Sequence, residues 1–166
     1  MPNHRGWRRF ARGERGDSLV EFSIVISMLL MAVFGVIDFS RALYSYHFVS
    51  YAAQQGSRYA IVRGGDWPSS CASATSFGCE ASSANIQAYV QSLAPMGITA
   101  GNIVVTPTWP QQTVNGAATG CNTSGTQNNQ GCVVKVRVSY TYHFFLPYLN
   151  LAALPMAATS EQVIAY

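Results

Sequence analysis

The sequence predicts an α+β chain: one long N-terminal helix, apolar at first and amphipathic afterwards, packed on a small antiparallel sheet. Three observations lead there. From Phe22 to Ile37 the run FSIVISMLLMAVFGVI holds no charged residue. From Phe39 to Ala60 an apolar or small residue recurs at helical spacing, with no proline before Gly64-Gly65. Between Val133 and Phe145 apolar and polar residues alternate with period two, the pattern of a strand with one covered and one wet face.

The 166 residues fit one domain plus an anchor. Charged residues make up 10% of the chain, against about 25% in an ordinary soluble domain. Five arginines precede the apolar run, Arg5, Arg8, Arg9, Arg12 and Arg15, and from Gly16 onward five basic residues face six acidic ones. The basic character is therefore a terminal feature, which argues against a nucleic-acid-binding face. A basic end before an apolar run keeps that end in the cytoplasm. The chain divides accordingly into a basic cytoplasmic leader (1–16), a transmembrane segment (17–37) and an extracytoplasmic domain (38–166).

In chain order, Met1 to Gly16 is too polar and glycine-rich to fold alone. Read as the start of a secretory signal, it predicts cleavage at small residues after the apolar run. The residues found there are Asp38-Phe39-Ser40-Arg41-Ala42-Leu43-Tyr44, with no such site and no helix breaker, so the run is expected to be kept. Counted from Ser18, it gives about 30 Å of helix at 1.5 Å per residue, the thickness of a hydrocarbon core. That count includes Glu21, a boundary carboxylate near the cytoplasmic end.

The helix is expected from Arg15 to Arg63. Beyond the apolar run, Phe39, Ala42, Tyr46, Val49, Ala53, Gly56 and Ala60 form a stripe spaced 3, 4, 3, 4, 3, 4, with Arg41, Ser45, Gln55 and Arg58 opposite. Packing on the chain's own sheet is the favoured use of this stripe, and a coiled-coil dimer is the competitor. Gly64-Gly65 stops the helix.

Asp66 to Ala81 reads as loop. A short helix follows, capped by Ser82 or Ser83 and ended by Pro95, with Ile86, Tyr89, Val90 and Leu93 on its buried face. Asn102 to Trp109 reads as a strand that Pro107 sends to an edge. Gln111 to Gly131 is a long uncharged loop. Val133 to Phe145 is the clearest strand, Leu146 to Pro155 an apolar connection near a surface or membrane, and Ala157 to Tyr166 the last strand. Cys71, Cys79, Cys121 and Cys132 all follow the apolar run. Beyond a membrane they lie where disulfides persist, and of three possible pairings Cys71–Cys79 and Cys121–Cys132 each close a short polar loop. Neither spacing matches a structural zinc site. Asn122-Thr123-Ser124 fits a glycosylation acceptor by chance.

No catalytic constellation emerges. His4, His47 and His143 lack partners at motif spacing, and Asp38 with Arg41 reads as a local i,i+3 pair. The sequence implies no enzyme activity, cofactor, metal, nucleic acid or small-molecule substrate. What it offers instead is a place for an enzyme to act. Gly16 closes a basic leader, and Asp17-Ser18-Leu19-Val20-Glu21-Phe22 puts a carboxylate five positions further on, directly before the uncharged helix. This resembles a type IV prepilin processing site, where a membrane peptidase cuts after the glycine. Glycine leaves the scissile backbone accessible, and Glu21 can then pair with a neighbouring subunit's new amino terminus, relieving the cost of a carboxylate in lipid.

The wider match is more particular. Val20-Glu21-Phe22, then Asp38-Phe39-Ser40-Arg41-Ala42, then Ala52-Ala53-Gln54-Gln55-Gly56-Ser57-Arg58-Tyr59-Ala60 resemble the successive steps of TadE-like proteins of tight-adherence (Flp-type) pilus systems. The resemblance covers about fifty residues; the alternating strand, the Leu-Pro step and the final strand are similar in layout. It implies a pilin-like fold and a minor pilin or pseudopilin, cut by a prepilin peptidase after Gly16, at a processing site made of Gly16, Asp17, Glu21 and Phe22. Its implied partners are the inner membrane, other pilins and the assembly platform. The alternatives are an unprocessed single-pass protein presenting a binding or scaffold domain, and a secreted protein that has lost its first 37 residues.

Overall fold

The computed structural model describes residues 14–65, 67, 80–111, 113–114, 117–118, 128–145 and 152–165. The leader up to Gly13, Cys71, Cys79, Cys121 and Asn122 lie outside the described residues. The fold is α+β, with a long N-terminal helix α1 (Glu14–Val62), a short helix α2 (Ser83–Ser92) and a three-stranded antiparallel sheet. The sheet has the order β1-β4-β5, with β1 at Ile103–Thr108, β4 at Val133–Tyr142 and β5 at Leu154–Val163. Two compact units are present. One holds the helix as far as Arg41 together with Phe145, and the other holds Ala42 to Phe144 and the chain after residue 151.

In the second unit the later part of α1 buries an arc made of Ala42, Ser45, Phe48, Val49, Ala52, Ala53, Gly56, Ser57, Tyr59 and Ala60. Five members of the expected stripe are in this arc, but Tyr46 is 52% and Phe39 65% exposed, and Ser45 is buried rather than opposite. At about 100° per residue, the middle of the arc falls on the Ser45–Val49–Ala52–Gly56 side, which puts Tyr46 and Phe39 toward its Ser57 edge. The sequence pattern missed this offset because it set the small Ser45 with the polar residues.

The arc meets the sheet at its centre. A Cβ on Gly56 would stand 2.9 Å from Cγ2 of Val90 on α2 and 3.1 Å from Cγ1 of Val136 on β4. Only a glycine lets three backbones converge so closely. The next residue, Ser57, is fully buried, and its hydroxyl lies 2.8 Å from that of Ser160 on β5. Because Ser57 Oγ donates to the Gln54 carbonyl at 2.9 Å, it accepts from Ser160. Val136 and Ser160 are register partners, so two consecutive helix residues dock on one rung of the sheet.

The covered face of the sheet follows from register. Val105, Val138 and Ala158 form one cross-strand row, and Ile103, Tyr140 and Met156 another. The other face carries Lys135 and Glu161 directly opposite each other, 3.8 Å apart and about half exposed, a pair worth about 0–1 kcal/mol. Val134, Val136, Val138, Ile86 and Val90 are all fully buried, each contributing about 1.5–3 kcal/mol through burial. Pro107 stands on an edge strand, where a missing N–H is tolerated.

Ser82 caps α2 by accepting from the Asn85 N–H, and Ile86 and Val90 are its buried residues. At the end of α1 the glycines do not form a left-handed cap; among the described residues the positive-φ glycines are Gly97 and Gly131. The chain is caught instead by hydrogen bonds from Gly65 N–H to the Asn128 carbonyl, from Ala81 N–H to the Arg63 carbonyl and from Ala165 N–H to the Ile61 carbonyl. Asn128 extends this knot by donating to Glu80 Oε1 and to the Ala81 carbonyl.

Three boundaries differ from expectation. β4 ends at Tyr142, and β5 begins at Leu154, taking in Leu154 and Pro155, and ends at Val163. Tyr142 pairs with Leu154, so the ladder extends as far as that partner and ignores the change in side-chain pattern. Within the expected long loop, Thr113–Val114 and Ala117–Ala118 form a small antiparallel pair, β2 and β3. The sequence between them is Asn115-Gly116, the commonest two-residue hairpin signal, and it passes unnoticed among so many polar residues. Cys132 is buried and is not a free thiol. With the other cysteines outside the described residues, neither Cys71–Cys79 nor Cys121–Cys132 is seen.

Candidate functional site

The first turns of α1 hold Gly16, Asp17, Glu21 and Phe22, all exposed, with Phe22 at 64%. A side chain at Gly16 would meet nothing within 4 Å. Asp17 and Glu21 are four residues apart and so share a face. Near the helix N-terminus the Asp17 carboxylate is favoured by the backbone dipole. The Gly16–Asp17 bond lies inside the helix, in its first turn, where the orphan N–H groups make opening easiest.

Beyond Phe22, Ile24, Val25, Met28, Leu29, Leu30, Met31, Val33, Phe34, Val36 and Ile37 are all large, apolar and exposed. This is the one described helix long and apolar enough to cross a membrane, and its most apolar stretch is not buried at all. The serines within it are already satisfied. Ser23 Oγ donates to the Leu19 carbonyl and Ser27 Oγ to the Ser23 carbonyl, both at 2.7 Å. Such back-bonding to the i−4 carbonyl lets a hydroxyl sit in hydrocarbon without an unmet polar group.

At the far end of the run, Asp38 is 4% exposed and its Oδ2 accepts the Phe145 N–H at 3.0 Å. Asp38 and Arg41 also line a small hollow with Phe34, Ile37 and Phe145. Sequence reasoning gave Asp38 no partner other than its neighbour Arg41. The available signal was a carboxylate placed directly after an uncharged run, which demands a partner.

Residues 16–58 match the family model for TadE-like proteins. That stretch of the chain is similar to TadE-like proteins. The match begins at the glycine of the expected processing site and ends within the buried arc of α1. No curated protein and no solved structure matched the chain. The TadE-like segment thus coincides with α1 and excludes the sheet, whose residues follow it in sequence.

One further cluster lies at the end of this helix. The Tyr59 and Tyr89 rings stack at 4.6 Å, and the Arg63 guanidinium lies 4.4 Å from the Tyr59 ring centre. Burial pushes the Tyr59 phenol above its ordinary pKa, with Arg63 pulling it down and Tyr89 adding to the rise. Among the described residues no group of three His, Cys, Asp or Glu side chains stands together. His47 and His143 are exposed, and His4 is outside the described residues.

Proposed function

We propose that the chain is a membrane-anchored minor pilin or pseudopilin that takes part in assembling a tight-adherence pilus. The observation that carries this reading is the TadE-like match over residues 16–58, on a helix whose apolar run has no buried residue. Ser18 to Ile37 spans the bilayer with the arginine-rich end in the cytoplasm. A prepilin peptidase cuts after Gly16, and the freed amino group of Asp17 pairs with Glu21 of a neighbouring subunit. The exposed apolar side chains then pass from lipid contact to contact with the helices of other pilins. The sheet unit, with its loops tied by Cys71–Cys79 and Cys121–Cys132, lies on the periplasmic or extracellular side. The role is structural rather than enzymatic.

A second reading, an uncleaved single-pass protein presenting a binding or scaffold domain, draws on the unbroken helix through Gly16. One measurement separates the two: the intact mass and N-terminal sequence of the protein extracted from its host's membranes. A chain starting at Asp17 is expected. A chain that keeps Met1 or Pro2 at its start refutes processing and leaves the retained anchor. A start beyond Ile37 refutes both.

A further inference from the structure

We propose that Phe145, held by its peptide N–H on the Asp38 carboxylate, is a lipid-inserting anchor at the outer surface of the membrane. The inference rests on the reading of Ser18 to Ile37 as the membrane span. Asp38 is the first residue beyond that span, so a group bonded to its side chain lies at the depth of the lipid headgroups. The bond is short, 3.0 Å, and its acceptor is a carboxylate that is 4% exposed.

The backbone at this point explains why a carboxylate is placed here. The sheet ladder of β4 ends at Tyr142, three residues earlier, so the Phe145 N–H has no strand to donate to. A peptide N–H brought to the edge of hydrocarbon without a partner is strongly disfavoured, and Asp38 supplies that partner. The Phe145 side chain is 73% exposed, even though its backbone is held. A large apolar side chain on a fixed backbone, beside Phe34 and Ile37 of the spanning helix, extends the lipid-facing surface of that helix by one more group. Arg41, one turn beyond Asp38 and exposed, brings a guanidinium to the level of lipid phosphates, while its stem covers apolar surface. Phe39, 65% exposed, adds a second aromatic ring at the same level. The fitting partner is therefore a phospholipid surface. A protein partner would have to displace lipid from a group that adjoins the span itself.

The test uses the full chain in vesicles of phosphatidylethanolamine and phosphatidylglycerol, with p-benzoylphenylalanine placed singly at position 145, at 29 inside the span, or at 104, an exposed strand position. After irradiation the adducts are weighed by mass spectrometry. Lipid adducts at 145 are expected at a yield close to that at 29 and at least about tenfold above 104, the ratio that burial of a phenylalanine side chain sustains. Asp38→Ala is expected to lower the yield at 145 severalfold and to leave that at 29 unchanged. Yields at 145 no higher than at 104, adducts to protein instead of lipid, or an unchanged yield in Asp38→Ala each overturn the proposal. Failure at 29 overturns the membrane-span reading itself and this inference with it. Success at 29 with failure at 145 overturns the inference alone.

Discussion

Replacing Gly56 with alanine sets two known effects against each other at one atom. In a helix interior, Gly→Ala stabilises by about 1 kcal/mol through propensity alone. The added methyl would stand 2.9 Å from Val90 Cγ2 and 3.1 Å from Val136 Cγ1, with Ile86 Cγ2 at an ordinary 3.7 Å. Val90 and Val136 are both fully buried, and both are β-branched, so neither methyl swings away without moving its backbone. Overpacking of this kind costs about 1–3 kcal/mol. The net expectation is a loss of about 1 kcal/mol for Gly56→Ala, and a larger one for Gly56→Val. Urea denaturation of the purified chain in detergent, followed by tryptophan fluorescence, reads this as a lowered midpoint at unchanged slope. A second-site change isolates the cause. Val136→Ala should destabilise less in the Gly56→Ala background than alone, with a coupling of at least about 0.5 kcal/mol. A Gly56→Ala chain more stable than the parent, with effects that simply add, would refute the three-way convergence of α1, α2 and β4.

The remaining predictions concern the processing site and two buried hydroxyls. Gly16→Leu should keep the leader on the chain, seen as an intact mass that includes residue 1; unchanged loss of the leader contradicts the processing proposal. Glu21→Ala should leave the protein inserted and folded but lower pilus output, and normal output would remove the proposed pairing with a neighbour's amino terminus. Ser57→Ala deprives the Ser160 hydroxyl of its acceptor and should cost about 1 kcal/mol in the same denaturation assay. For Tyr59 the folded pKa lies above the unfolded value of 10.0. Its stabilising contribution is therefore complete below pH 10 and is lost as pH rises through the folded value. Tyr59→Phe should flatten the decline of stability above pH 10, and an equally steep decline in that variant would show that the phenol is not responsible.

Much of the architecture was legible because it is periodic. A run without charge and an alternation over eleven residues each point to one structure, and α1 and β4 appeared within a few residues of their expected limits. The limits themselves were less legible because partners set them. Tyr142 ends β4 where Leu154 ends the pairing, and nothing in Phe144 or Phe145 announces this. The packing arc of α1 was half legible. Ala53, Gly56 and Ala60 are small and read as a contact, whereas Ser45 is equally small yet reads as polar. Serine in a helix satisfies its own hydroxyl on the preceding turn and can be buried at little cost. The bond from Phe145 to Asp38 spans 107 positions, and no local pattern encodes it.

The docking of Gly56 and Ser57 on the rung formed by Val136 and Ser160 also sets the order in which this protein is completed. The helix is made first and β5, which closes on it, afterwards, the two serines standing 103 positions apart. A second latch, Ala165 N–H on the Ile61 carbonyl, joins positions about as far apart. Contacts this distant in sequence form slowly, because the loop between them must close before it is rewarded. During synthesis the inner arc of α1 therefore stays bare until β4 and β5 have been made. An unfinished chain presents a wet, half-apolar helix with nothing on it, which is the form that quality-control proteases and chaperones bind.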